Sequence, residues 1–344
     1  MVNLGTPDSP KTSDVRKYLN EFLSDGRVID YPWLPRQVLV KGVITPFRAK
    51  SSAKTYKEIW SDTTGSPLMY HSLQLKEKLQ LAFDENPHRA GEVHDEYEVF
   101  LAMRYQSLGL ASVLQEMKMK QFDKIIVFPL FPQYASATTG SVHQLIMKNM
   151  ADWWEIPAIS FINSYYDNPE MIAAYADAGA KYGLENYDHI LFSFHGLPIR
   201  QLKKASKDNG CNHCQNVKNC CETIGQNNKF CYGSQSYATA YAIADKLGLS
   251  KDQYTICFQS RLGRDPWMQP YASEVVEDLA KRGIKKILCF CPAFVADCLE
   301  TVYEVAEEYQ EEFVEYGGEK IQLVESLNDR QVWVDCIKNI VLAN

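Results

Sequence analysis

The sequence predicts an α/β protein made of two similar open halves, each a parallel sheet covered by helices. Three observations predict it. Short apolar runs rich in β-branched residues alternate with helix-length amphipathic segments, the pattern of strands buried on both faces. The order of elements in the first half recurs in the second. No low-complexity stretch or Pro/Gly/Ser-rich linker interrupts the chain, and its 344 residues, 46% hydrophobic and 23% charged, supply ample core.

The elements run as follows. "VNLGTP" (2–7) is a strand end entering a Gly-Pro turn. "YEVFLAMRYQS" (97–107) is a strand ending in polar residues, "ASVLQEMKMKQF" (111–122) a helix, and "DKIIVFPLFPQY" (123–134) a buried strand. In the second half "HILFSFHGLP" (189–198), "YTICFQSRLG" (254–263), the helix "YASEVVEDLAKRGI" (271–284) and "KKILCFCPAFVAD" (285–297) repeat that order. The predicted domains are 1–160, 161–320 with a Cys-rich insertion at 210–231, and a closing helix within 321–344 around "DRQVWVDCIKNIVLA".

Net charge is −7 with no Lys/Arg run, which argues against a nucleic-acid partner. No apolar run is long enough to span a bilayer. "MVNLGTPDSP" carries neither a basic n-region nor an h-region, so the expected location is cytoplasmic. There the ten cysteines read as free thiols or metal ligands rather than disulfides. "GTP" at 5–7 lacks both dinucleotide and P-loop spacing, so nothing supports a nucleotide site.

In open α/β sheets ligands bind beyond the carboxyl ends of the strands, often between domains, so chemistry is sought there. His195 stands at such an end in "FSFHGLP". A histidine merely satisfied in a turn is the plain alternative, but its position in a strand-end loop favours function. Opposite it in the repeat comes "CPAFVADCLETVYEVAEEYQEEFVEY", with eight acidic residues and no Lys, Arg or His from Asp297 onward. Glu300, Glu304 and Glu308 recur every fourth residue and stack along one side of a helix. A solvated face is the usual fate of such a run. Here Phe294, Val295, Leu299, Val302 and Tyr303 anchor the helix, and the row extends past the first turn, where a helix N-terminus favours acids. Oxygen ligands beside an imidazole suit a divalent cation or a relay of protons. At other strand ends, Arg104 is placed to grip a carboxylate and Tyr105 to stack on a flat ring. Trp267 in "SRLGRDPWMQP" and Ser66 in the tight turn "GSPL" join the same edge, although packing explains each of them singly.

"GCNHCQNVKNCCETIGQNNKFCYG" holds Cys211, Cys214, Cys220, Cys221 and Cys231, five cysteines in 21 residues opening with C-x-x-C. The stretch has too few large apolar residues to fold on burial alone, so a bound metal is expected. Zinc and an iron–sulfur cluster both fit four thiolates. Cys257, Cys289, Cys291, Cys298 and Cys336 sit in apolar runs and read as small hydrophobes.

Taken in order, "VNLGTP", "GSPL", "FPQYASATTGS", "SFHGLP", "FQSRLGRDPW" and "CPAFVADCLETVYE" resemble the ferrochelatase family, enzymes that insert Fe(II) into a porphyrin to form heme. The resemblance implies two similar Rossmann-like domains with parallel four-stranded sheets flanked by helices and a cleft between them. It implies that His195 is the catalytic histidine and Glu300 its opposing carboxylate, together holding Fe(II). Asp297, Glu304 and Glu308 resemble the family's acidic path for metal or protons, on a helix that includes a π-type stretch. Arg104 and Tyr105 match an Arg-Tyr pair beside the porphyrin, and Phe294 and Trp267 its aromatic walls. "YLNEFLSDGRVIDYPWLP" (18–35) falls where the family has an apolar lip able to rest on a membrane, here the inner face of the cell membrane.

The chain departs from the animal form. Cys298 stands where animal enzymes have a histidine, Ser136 where they place a cluster cysteine, and no C-terminal extension follows. The Cys-rich segment is instead similar to the internal cluster insertion of some bacterial members. That favours [2Fe–2S] over zinc, with Cys211, Cys214, Cys221 and Cys231 as ligands and Cys220 as the alternate. The resemblance leaves open coproporphyrin III in place of protoporphyrin IX, cobalt in place of iron, and monomer against homodimer. A heme- or metal-binding redox sensor without catalysis is the rival from another class.

Overall fold

The computed structural model describes residues 1–85, 96–205, 219–263 and 265–344. They form two compact units, one of Met1–Phe131, Ser136–Asn163 and Asn328–Asn344, the other of Pro132–Ala135 and Ser164–Leu327.

The first unit carries β1 (Val2–Asn3), β2 (Ala102–Met103), β3 (Lys124–Val127) and β4 (Ala158–Phe161). β1 pairs in parallel with β2, and β3 with β4. The two pairs join where Val2 N donates to Phe128 O (2.9 Å) and Leu130 N to Val2 O (2.8 Å), so the order is β2-β1-β3-β4. The second unit holds β5 (His189–His195), β6 (Tyr254–Gln259), β7 (Lys286–Phe290) and β8 (Lys320–Leu323), all parallel, in the order β6-β5-β7-β8. Each unit thus places its first strand between its second and third, with its fourth at the edge. The echo read in the sequence is a repeat of topology.

Burial explains why some strands were plain in the sequence and others were not. β5 is buried at six consecutive positions, so "HILFSF" is apolar on both faces apart from His189 and Ser193, which are hydrogen-bonded to Thr255 and Gln259. β4 and β8 are edge strands of four residues, partly exposed along their length, and lack that run. Residues 320–323 therefore belong to the second sheet, and the closing helix begins later, at Gln331–Leu342. That helix packs in the first unit on the helix Pro67–Asp84, with Trp333 fully buried against Phe128.

The first unit's cores gather Val2, Leu110, Leu114, Ile125, Val142 and Ile146 around the sheet, and Val15, Tyr18, Leu19, Val40 and Tyr105 beside it. In the second unit Leu191, Val276, Leu279, Ile287, Val305 and Phe313 join sheet to helices. Each such buried side chain contributes about 1.5–3 kcal/mol by leaving water.

Gly5 shows how tightly a strand end is set. Its φ is +108°, and an added Cβ would overlap the carbonyl oxygen of Tyr105. Gly5→Ala is expected to lower unfolding stability by about 2–3 kcal/mol, read as a reduced urea midpoint at unchanged slope.

Two expectations change at the surface. Tyr18, Leu19 and Leu23, inside the 18–35 lip, are buried, because the amphipathic helix Thr12–Ser24 turns that face inward. The exposed apolar residues begin at Tyr31, Trp33 (66%) and Leu34 (63%) and continue past residue 35 through Val38, Val43 and Phe47 (79%). No helix among the described residues is long and apolar enough to cross a membrane.

Candidate active site

His195 ends β5, in register with Gln259 of β6. Its Nδ1–H donates to Gly196 O (2.7 Å), which selects the tautomer with Nε2 unprotonated and able to accept a proton. The peptide after it is held on both sides: His195 O accepts the Tyr232 hydroxyl (2.9 Å), and Gly196 N donates to Gln259 O (2.8 Å). A Cβ on Gly196 would stand 3.0 Å from Gln259 O and 3.3 Å from the Trp267 ring, so this close approach needs glycine. Trp267 and Phe294 each bring a ring centroid to 6.4 Å from the imidazole. These two predicted wall residues and the predicted base are therefore gathered in one place.

The acidic helix takes π form over Glu300–Tyr309, the wide-turn geometry that the resemblance implied. Its carboxylates divide by their hydrogen bonds. Asp297 is buried, and its Oδ1 accepts from Thr301 Oγ1 (3.1 Å) and Ser326 N (3.2 Å), fastening the start of the helix. Glu304 accepts four bonds. Oε1 takes Ser260 N (2.8 Å) and Tyr309 Oη (2.9 Å), and Oε2 takes Ser260 Oγ (2.5 Å) and Gln259 Nε2 (3.1 Å). Four donors use the acceptor sites of a carboxylate, so Glu304 is a side chain fixed by its hydrogen bonds rather than a vacant ligand. Glu300 is half-buried beside Cys298, whose thiol is pushed well up by burial and by the Glu300 and Asp297 carboxylates. Glu308, on the outer side, is held above the usual carboxylate range by partial desolvation and by Glu304, Glu312 and Glu311. It takes up a proton more readily than an ordinary glutamate.

Gln259 ties these groups together. It neighbours His195 in the sheet, its Nε2 reaches Glu300 O (2.9 Å) and Glu304, and its Oε1 accepts from Ser193 Oγ (2.7 Å). Ser260 has φ +65°, a strained left-handed conformation that aims both its donors at Glu304. Sequence reasoning missed the roles of both residues: "FQS" marks a strand end, but a positive φ at serine has no composition signature.

The first unit corrects two readings. Arg104 donates from Nη2 to Asp25 Oδ2 (2.6 Å) and from Nε to Ser141 Oγ (2.7 Å), so two sides of its fork are already engaged. Tyr105 is 1% exposed, donates its hydroxyl to the same Asp25 oxygen (2.9 Å) and packs edge-on against Phe22. Its ring is core and offers no face for stacking. Burial pushes the Asp25 carboxyl up, but Ser141, the Arg27 N–H, Arg104 and Tyr105 outweigh it and hold the group below the usual range. Ser66 is buried at the N-cap of the helix Pro67–Asp84. Ser136 Oγ accepts from Arg27 Nη1 (2.8 Å).

Cys211 and Cys214 lie outside the described residues. Cys221 and Cys231 converge at the first turn of the helix Tyr232–Lys246: a Cβ on Gly233 would meet Cys221 Sγ at 3.1 Å and Cys231 Sγ at 3.8 Å. Cys220 Sγ stands 3.9 Å from Cys221 Sγ, and neither forms a disulfide. Among the described residues no three His, Cys, Asp or Glu side chains converge as a metal cage.

Comparison with known proteins agrees with this architecture. The family model described as ferrochelatase matches residues 1–344. The ferrochelatase of Legionella pneumophila (strain Lens) is 41% identical over 341 residues, covering 99% of this chain and 97% of its own. That of Opitutus terrae is 39% identical over 342 residues (99% and 95%), and that of Pseudomonas entomophila 40% over 336 (97% and 95%). Among solved structures, SirB from Bacillus subtilis with Fe3+ aligns with TM-score 0.52 at 12% identity, over 81% of this chain and 91% of that one, a likeness of fold alone.

Proposed function

The chain belongs to the ferrochelatase family, and from that premise we propose that His195 and Glu300 carry its reaction, the insertion of ferrous iron into protoporphyrin IX to give protoheme. A free porphyrin carries two pyrrole protons that must leave as the metal enters: porphyrin-H2 plus Fe(II) gives the iron porphyrin and two protons. One observation carries the assignment. The Nδ1–H of His195 is spent on Gly196 O, which leaves Nε2 as the acceptor beside the Trp267 and Phe294 rings. Nε2 takes the pyrrole protons. The two rings press on the macrocycle and favour a bent form that exposes nitrogen lone pairs, a strain drawn from contacts remote from the reacting centre. Glu300 receives the protons or steadies Fe(II) as its water shell is shed. Glu308, already inclined to protonation, passes protons outward, with Glu304 as the hydrogen-bonded anchor between them.

Anaerobic incubation of the purified protein with Fe(II) or Zn(II) tests this reading, in parallel arms with protoporphyrin IX and coproporphyrin III. Loss of the free-porphyrin spectrum in the protoporphyrin arm is the expected result. Turnover of coproporphyrin alone would move the substrate, and heme retention without insertion would make the chain a binding protein.

We assign Cys211, Cys214, Cys221 and Cys231 to a [2Fe–2S] cluster. The convergence of Cys221 and Cys231 at a helix N-terminus supports it, and those two thiols fit half of the set. When bound, such a group supplies one-electron redox chemistry and a cross-link for a stretch poor in apolar residues. Cys214→Ser is expected to abolish the visible absorption of the purified protein; zinc in its place would leave the wild type colourless. Trp33, Leu34, Val38 and Phe47 form the surface that would rest on a membrane.

A further inference from the structure

We propose that Tyr232 is a positioning residue for His195, through which the state of the Cys221/Cys231 thiol pair reaches the catalytic imidazole. This rests on the reading of His195 as proton acceptor. Tyr232 directly follows Cys231 and opens the helix Tyr232–Lys246. Its side chain is buried. A buried phenol needs a partner, and this one donates to His195 O at 2.9 Å. That carbonyl belongs to the His195–Gly196 peptide, whose N–H is fixed on Gln259 O, while the next carbonyl holds the imidazole through Nδ1. The orientation of the imidazole therefore follows from a peptide plane pinned by Gln259 on one side and Tyr232 on the other.

The thiol side is equally tight. Gly233 is packed so closely that a Cβ would meet Cys221 Sγ at 3.1 Å, Met268 Cε at 3.2 Å and Cys231 Sγ at 3.8 Å. Met268 N in turn donates to Leu197 O (3.0 Å), two residues beyond His195. A change in the spacing of the two sulfurs presses on a turn that packs closely against both of them. It passes into the Tyr232 backbone and Met268, both attached to the histidine loop.

Tyr232→Phe removes one oxygen and keeps the ring. It is expected to leave the visible spectrum unchanged, to lower the melting temperature by no more than a few degrees through the His195 carbonyl left without its donor, to lower kcat for metal insertion about tenfold, and to leave KM for the porphyrin unaltered. A tyrosine that only fills space would move none of these. The decisive readout does not depend on turnover: ring-nitrogen NMR of 15N-histidine-labelled protein, with the His195 signals assigned by their loss in His195→Ala. Tyr232→Phe alone is expected to shift those signals. Cys221→Ser is expected to shift them in the wild-type background and not in the Tyr232→Phe background, a non-additive pair. Unchanged His195 signals in Tyr232→Phe, or the same Cys221→Ser shift in both backgrounds, would overturn the proposal. If the wild type inserts no metal, the functional reading fails, while the NMR arms still decide whether Tyr232 links thiols to histidine.

Discussion

His195→Ala is expected to lower iron insertion about 10³-fold while protoporphyrin still binds. A positioned general base is worth about 10²–10⁴ in rate, and the geometry gives this imidazole one chemical task. Nδ1 is engaged with Gly196 O, so the ring presents a single basic nitrogen. Binding draws on Trp267 and Phe294, whose places are set by backbone contacts: Met268 N on Leu197 O, the bridge between Pro198 and Trp267, and Phe294 N on Cys291 O. None of these needs the imidazole, so fluorescence titration with the porphyrin should return a dissociation constant close to that of the wild type. Imidazole added to the variant should restore part of the rate by entering the space the side chain left. A variant within fivefold of wild-type kcat would remove His195 from the chemistry and leave it a turn histidine.

How far the sequence carried depends on whether an interaction is local. The places of His195 at a strand end and of Glu300 on the helix after β7 were legible because each follows an apolar run that ends at a polar position. The four-residue spacing of Glu300, Glu304 and Glu308 was legible too, but not their division of labour. That division is decided by Ser260, Gln259 and Tyr309, which meet Glu304 through tertiary folding, two of them more than forty residues away in the chain. Arg104 and Tyr105 were misread for the same reason. Asp25, 79 residues earlier than Arg104, takes up both side chains, and nothing near "AMRYQS" announces it. β4 and β8 were hidden because an edge strand needs no continuous apolar run. The link from Tyr232 to His195 spans 37 residues and begins inside a segment read only for its cysteines.

The strongest test of that division compares two isosteric changes on one helix. Glu300→Gln is expected to cost at least 10² in kcat and to leave stability within about 1 kcal/mol, because it removes the carboxylate proposed to act in the reaction and weakens one contact, with the Cys298 thiol. Glu304→Gln should behave in the opposite way. Its oxygens receive only donors, from Ser260 N, Ser260 Oγ, Tyr309 Oη and Gln259 Nε2. Replacing one oxygen by NH2 sets a donor against Ser260 N or Gln259 Nε2, neither of which can accept, while the hydroxyls can turn; at least one of the four bonds breaks and leaves its donor in a partly buried place. At about 1–3 kcal/mol for each group left unsatisfied, the variant should melt several degrees lower. It should lose activity only as far as the π-helix shifts against His195. The converse pattern, with Glu300→Gln unstable and Glu304→Gln firm but inactive, would exchange the two roles and make Glu304 the carboxylate that meets the metal.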